Sequence, residues 1–314
     1  EPTTYNSAGF WLTKSSDRSK ARFLSDQRGT NEIIKRTYHP AYDPQQIIRT
    51  MAPDLRCYWV CDMSSSYHQL RISEDSSKKF FNVLTAFGVY RFTRLIQGCS
   101  ISSDILGTAM EHKFSDLLAS RQLARDMDDW ISGSKTEEEA MNMLEIFLQR
   151  CEDNNVVLSP KKFQWSGLDG KVKWAGLEVQ QGTSKPDPDR IKALAMMEEP
   201  TDKGSLRRWL GMANTLGNYV AGISKKSALQ RELLKKESAW IWSEDVSNEF
   251  KALRAELSNP NCLFNYSKDM DVGISIDCQS GGEADTSGCT GCLLYTSDAA
   301  DEGLGVDLGG RRII

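Results

Sequence analysis

Three aspartates carry the strongest chemical signal in this sequence. Asp62 closes the apolar run Tyr58-Trp59-Val60, and Asp128-Asp129 sit between the short runs Gln122-Leu123-Ala124 and Trp130-Ile131. That spacing predicts a strand end beside a hairpin turn, which would converge the carboxylates. Hard divalent cations take oxygen ligands, and two Mg²⁺ ions roughly 3.5–4 Å apart activate an attacking hydroxyl and steady a leaving oxygen. The chemistry indicated is two-metal phosphoryl transfer. Taken alone, an Asp-Asp pair at a turn is more often plain turn chemistry, because Asp bonds to its own backbone there. The surrounding sequence has to decide.

The elements that would position these residues are readable as patterns. Phe80 to Phe87 and Val89 to Ile96 are strand-like runs with a turn at Gly88. Ser102 or Ser103 is placed to cap a helix whose apolar positions run from Ile105 through Leu118 at helical spacing. Thr136 with Glu139 reads as a capping box, followed by the stripe Met143, Leu144, Phe147, Leu148 and Cys151. Val172 to Val179 is a further strand candidate. Pro186, Pro188 and Pro200 then lead into helices carrying Leu206, Trp209, Leu210, Ala213 and Leu216, with a composition shift near 184. Strands and helices followed by a helical segment indicate an α/β or α+β core plus a helical module.

Whole segments, taken together, resemble the reverse transcriptases of gypsy-type LTR retrotransposons and, more distantly, of retroviruses. CDMSSSYHQLRI is similar to that family's strand with its first catalytic Asp and the following Tyr-His-Gln. DMDDWISGSKTEEEA is similar to its second catalytic box, normally Tyr-x-Asp-Asp. By this match Asp62, Asp128 and Asp129 inherit metal binding, with two Mg²⁺ ions as cofactor and Mn²⁺ as the alternative. Tyr67 inherits the steric gate against a 2′-hydroxyl. ARFLSDQRGTN resembles the fingers motif whose leading Arg grips a triphosphate, which points to Arg22 and, more weakly, Lys14. RLIQGCSISSDILG resembles the loop that places Gln97 against the incoming nucleotide. SPKKF resembles the motif whose lysine protonates pyrophosphate, so Lys161 or Lys162 is the candidate acid. VKWAGLEV resembles the primer-grip hairpin, with Trp174 and Gly176. SIDCQS, with Asp277, resembles the opening of an RNase H domain.

The resemblance implies an α+β right-hand polymerase fold: fingers at 1–56, and a palm at 57–183 with a fingers insertion at about 73–105. The palm sheet is expected to be antiparallel and backed by helices. A thumb-like helical region at 184–237 and a connection with a truncated RNase H start at 238–291 complete it. The implied activity is RNA-directed DNA polymerisation, with a primed RNA or DNA template and dNTPs as partners. Other Pol and Gag products join that set, and a cytoplasmic location, including virus-like particles, goes with it. Three departures stand out: Asp126 where the family has Tyr, Ser66 where it usually has Gly, and Ile96-Gln97-Gly98 where many members have Pro-Phe-Gly. A fourth carboxylate beside the pair adds like-charge repulsion. The competing reading is therefore an inactive relic that keeps the fold and at most binds primer–template; another two-metal nucleotidyl transferase is a third.

Bulk properties agree. At 314 residues and 39% hydrophobic, the chain is long enough for two or three units with real cores. The first residues are Glu-Pro-Thr-Thr, which leads to the expectation of natural sequence upstream. Eight cysteines without paired CxxC spacing read as reduced thiols. A net charge of −4 argues against indiscriminate nucleic-acid binding. The segment 203–236 is the exception, with Lys203, Arg207, Arg208, Lys225, Lys226, Arg231, Lys235 and Lys236 against Glu232 alone. It suits a duplex backbone or, equally, a solvated helix face. No membrane partner is expected. Residues 292–314 resemble a translated sequencing adapter: CLLYTSDAADE and VDLGGRRII read as its constant flanks around a spacer of sample-index length. The natural sequence is expected to end near Gly291.

Overall fold

The computed structural model describes residues 6–14, 17–35, 39–40, 42–73, 80–220, 222–236, 238–259, 263–264, 271–279 and 288–296. Side chains of Lys14, Asp17, Arg18, Lys20 and of everything after 259 lie outside that description. The chain forms two units, one ending at Asn265 and one beginning at Tyr266. Strands of the first unit are β1 (Asn6–Lys14), β2 (Asp17–Ser25), β3 (Cys57–Asp62), β4 (Asn82–Thr85), β5 (Gly88–Arg91), β6 (Leu123–Asp126) and β7 (Asp129–Ser134). They continue with β8 (Gln164–Leu168), β9 (Val172–Trp174), β10 (Leu177–Gln180), β11 (Thr183–Pro186) and β12 (Leu263–Phe264). Its helices are α1 (Arg28–Ile33), α2 (Pro44–Thr50), α3 (Ser102–Ala119), α4 (Glu137–Asp153), α5 (Pro188–Ala195), α6 (Lys203–Thr215), α7 (Ala228–Glu232) and α8 (Glu244–Leu257). The second unit pairs β13 (Asp271–Gln279) with β14 (Gly288–Thr296) antiparallel. Among the described residues no helix is long and apolar enough to cross a membrane.

The site rests on one antiparallel sheet of order β6-β7-β3-β8. Side chains alternate between the faces of a strand, and that alternation decides where each carboxylate points. Cys57, Trp59 and Cys61 of β3 join Trp130 of β7 in a core with Leu106, Met110 and Phe114 of α3 and Phe147 of α4. Trp59, Phe114, Trp130 and Phe147 stack there at ring separations of 4.7 to 5.5 Å. Tyr58 and Val60, with Ile131 of β7, go to the opposite face, into a core with Trp174, Trp209 and Phe250. Asp62 shares the parity of Tyr58 and Val60, and Asp129 that of Ile131. Both carboxylates are therefore displayed away from α3 and α4.

Several sequence expectations change in detail. The run Val89 to Ile96 is a strand only to Arg91, because Arg94 and Leu95 turn to bridge Arg71 and Leu70 instead. The hairpin itself is present, with Thr85 paired to Gly88. Neither Ser102 nor Ser103 caps α3; the Ser102 hydroxyl donates to the Ile96 carbonyl at 2.8 Å and ties down the loop before the helix. At α4 the Thr136 hydroxyl accepts from the Glu139 amide, but Glu139 accepts from Lys135, one residue before the cap. Val172 to Val179 is two strands about an Ala175-Gly176 turn. Residue 184, at the composition shift, lies inside β11, paired to β10. The division at 265/266 was not marked in the sequence by any such shift.

Candidate active site

β6 and β7 are joined by the two-residue turn Met127-Asp128, with Asp126 directly opposite Asp129. Across the next ladder Asp62 stands opposite Asp129, and the Met63 amide donates to the Asp128 carbonyl at 2.9 Å. The strand end thus meets the hairpin as the spacing predicts. Asp62 is buried, while Asp128 and Asp129 are half-buried.

Crowding three carboxylates in a partly dry site disfavours their ionised forms. Burial pushes the Asp128 carboxyl up, aided by the Asp62 charge. Asp129 rises to about 7, first through burial, then through its hydrogen bond to Asp62 and the charges of Asp62 and Asp128. Asp126 is raised by burial and by Asp128, against the lowering influence of Arg125. Lys162 supplies the compensating charge: its Nζ lies 2.8 Å from Asp62 Oδ2, and that bond holds the ammonium above its ordinary pKa.

Around this centre the turn Ser66–Gln69 distributes its three named side chains to different tasks. Tyr67 faces the cavity. The His68 Nδ1 lies 2.9 Å from the Leu95 carbonyl, and the Gln69 amide donates to the Ser64 and Val157 carbonyls while accepting from the Val157 amide. The Ser159 amide in turn donates to the Asp62 carbonyl at 2.7 Å, which brings the following Pro160–Lys162 turn beside the carboxylates.

A cavity of about 460 Å³ is lined by Arg22, Asp62, Tyr67, Gln97, Asp128 and Lys162, among others. Six side chains singled out on five segments, Arg22, Asp62, Tyr67, Gln97, Asp128 and Lys162, thus meet in one place. Lys161 and Lys162 both line a neighbouring cavity of about 280 Å³ with Asp129, Trp174 and Ala175. Of the two lysines, Lys162 is the one bonded to Asp62. Trp174 is 1% exposed and belongs to the core, so its side chain anchors the hairpin rather than presenting itself. Gly176 has φ +80°, and a Cβ there would fall 2.2 Å from the Arg190 guanidinium carbon, which leaves only glycine without strain. The Lys14 side chain lies outside the described residues. Asp277 falls in β13 opposite Thr290, its side chain likewise outside them.

Two contributors were not read from the sequence. The Asn31 amide donates to the Gly98 carbonyl at 2.9 Å and its oxygen accepts from the Ser100 amide at 2.8 Å, clamping the Gln97 loop from both sides. The signal was the Asn closing the fingers motif, whose partner no local pattern names. Arg125 is the second, tucked behind the β6–β7 turn and bonded to the Met127 carbonyl.

The donor set fits a hard divalent cation: three carboxylates with repelling charges and one amine borrowed to neutralise them. Among the described residues no three such groups already stand at metal-ligand spacing. Asp62 is engaged by Lys162 and Asp129, so a cation held by these carboxylates would have to displace the ammonium.

Comparison with known proteins follows the same line. A family profile described as reverse transcriptase (RNA-dependent DNA polymerase) matches residues 12–179. The Retrovirus-related Pol polyprotein from transposon 412 of Drosophila melanogaster is 25% identical over 294 residues, covering 92% of this chain and 23% of that protein. The chain therefore spans less than a quarter of that relative's length. A foamy viral protease-reverse transcriptase in complex with double-stranded DNA superposes with TM-score 0.78 at 16% identity, over 94% of this chain and 50% of that one. The same kind of protein in complex with an RNA/DNA hybrid gives 0.77 at 14%, over 95% and 40%. These two establish an α+β fold shared with retroviral reverse transcriptases. Over more than half of its length the chain belongs to the reverse transcriptase (RNA-dependent DNA polymerase) family.

Proposed function

We propose that this chain is the polymerase part of a gypsy-type LTR retrotransposon Pol polyprotein, adding dNTPs to a primer on an RNA or DNA template. The observation that carries the reading is the shared cavity of Arg22, Asp62, Tyr67, Gln97, Asp128 and Lys162. Two Mg²⁺ ions, held by Asp62, Asp128 and Asp129, would lower the primer hydroxyl's pKa and stabilise charge on the departing oxygen. Mn²⁺ would substitute on the same donors.

Each neighbouring residue has a role its position supports. Arg22 offers a guanidinium fork to the triphosphate. Tyr67 blocks a ribose 2′-hydroxyl with a rigid ring. Gln97, fixed by Asn31, hydrogen-bonds the incoming nucleotide. Lys162, already protonated beside Asp62, delivers its proton to pyrophosphate. The Ala175-Gly176 turn supports the primer end through its backbone. In hand terms, residues 1–56 and about 73–105 are the fingers, the rest of 57–183 the palm, and 184–237 the thumb. Exposed Arg207 and Arg208 on α6 suit a duplex backbone there.

Residues 238–291 are read as a connection with an RNase H start, and 292–314 as adapter-derived. The adapter reading is supported by the matching flanks, while the pairing of Cys292 to Thr296 with Asp271 to Ser275 runs against a tail devoid of structure. Adjoining genomic sequence decides it.

The function is tested by extending a DNA primer on an RNA template with Mg²⁺ and either dNTPs or ribonucleotides. Extension with dNTPs supports the polymerase. Preference for ribonucleotides favours another nucleotidyl transferase. Tight primer–template binding without extension is the relic's signature, for which Asp126 is the specific motive.

A further inference from the structure

We propose that Arg125 is a positioning residue for the catalytic turn, its guanidinium tethering the Met127 carbonyl to helix α3 and so setting where Asp128 and Asp129 present their carboxylates. The inference rests on the polymerase reading and deepens it.

Met127 is the first residue of the β6–β7 turn and has φ +51°, a left-handed conformation that favours glycine. A methionine stays there only when its surroundings over-determine the turn. Arg125 is the device that does so. Its Nη1 donates to the Met127 carbonyl at 2.5 Å and its Nη2 to the Gly107 carbonyl of α3 at 3.3 Å. The guanidinium carbon also sits 5.7 Å from the centroid of the buried Trp130 ring.

Strand parity explains why this work is done from behind. Ala124 belongs to the core on the carboxylate face, whereas Arg125, its neighbour on β6, turns to α3 and Trp130. Arg125 therefore reaches the turn from the side opposite the cavity and is not among the residues lining it. A planar fork reaching two carbonyls on different elements suits arginine's fixed geometry, whereas lysine would have to reach both from a single nitrogen. Its Nε is buried without a partner among the described residues, a cost accepted to hold the fork in place. Burial pulls the Arg125 guanidinium below its ordinary pKa, while the charges of Glu111, Asp126 and Asp128 act the other way and favour the cation.

The test uses the full chain with ¹³C-methyl methionine, the Met127 signal being assigned through Met127→Leu. Single-turnover extension is measured alongside it for wild type, Arg125→Met and Arg125→Lys. Loss of the tether should cost about 100-fold in the incorporation rate, as expected for a misplaced reacting group, with dNTP KM moved less than about 3-fold. The Met127 methyl should broaden or split in Arg125→Met, and Arg125→Lys should fall between it and wild type.

A folded Arg125→Met with an unchanged Met127 signal and a wild-type rate overturns the proposal. If Arg125→Met does not fold, Arg125→Lys decides alone: it keeps the charge and loses the fork, so an unchanged signal and rate are again contrary. If wild type itself extends no primer, the polymerase reading fails while the Met127 signal still judges Arg125.

Discussion

The Lys162 ammonium sits 2.8 Å from Asp62 Oδ2, on the carboxylate that faces Asp129 across the ladder. An ammonium and a divalent cation compete for the same oxygen. Lys162→Gln should therefore bind Mn²⁺ more tightly in the absence of substrate, by about tenfold or ~1.4 kcal/mol, even as extension slows for want of the acid. Titrating free Mn²⁺ by EPR measures the affinity directly. Equal or weaker binding in the variant would show that the lysine does not hold the cation's place.

Asp129 makes the metal-free protein pH-sensitive. Its folded pKa is raised from 3.8 to about 7, so its stabilising contribution is complete below about pH 4 and is lost as pH rises through 7. In EDTA the melting temperature should fall across that window. Asp129→Asn should flatten the fall and melt higher than wild type at pH 8. A parallel pH profile in the two proteins would place the titration elsewhere.

Tyr67 lines the cavity of Asp62 and Asp128. Trimming it with Tyr67→Val should erode discrimination between deoxy- and ribonucleotides by about 100-fold, chiefly by admitting ribonucleotides, a size set by pocket rejection of an added hydroxyl. Ratios of kcat/KM for matched dNTP and rNTP pairs give the answer. Unchanged ratios with intact dNTP incorporation would remove the gate from Tyr67.

Asp126 faces Asp129 directly and also borders a cavity of about 580 Å³ with Ile47, Leu123, Ala124 and Met127. That space accepts an aromatic ring, and removing the carboxylate takes away a like charge from a partly dry site. Asp126→Tyr should raise extension by at least about tenfold, ~1.4 kcal/mol of transition-state stabilisation. If wild type is already fast and the variant equal to it, Asp126 is a tolerated departure and the inactive-relic reading falls.

The clustering of the carboxylates was legible because strand parity and a two-residue turn are local. Asp62 and Asp129 needed only the β3 and β7 patterns to share a face, and the turn brings Asp128 beside them. Arg22, Tyr67 and Gln97 were legible as motif members but not as neighbours, since their meeting depends on Asn31, His68 and Gln69 bonding to segments far along the chain. The choice between Lys161 and Lys162 turned on a short 3₁₀ turn that no periodicity reveals. Arg125 was missed for a plain reason: a lone arginine beside an aspartate reads as surface charge until the ring of Trp130 and the α3 carbonyl are beside it. Helix α2 was missed although Asp43-Pro44 with Gln46 is a full capping box, because its seven residues carry too little apolar period.

Single-turnover nucleotide incorporation by wild type and Asp128→Asn tests most directly whether Asp62, Asp128 and Asp129 hold the metals of the polymerase reaction. Asp128→Asn keeps the shape of the turn and removes one charge. The rate is expected to fall at least about 1,000-fold, ~4 kcal/mol, with primer–template affinity and melting temperature preserved or raised. Incorporation by Asp128→Asn within a few-fold of an active wild type would contradict the assignment.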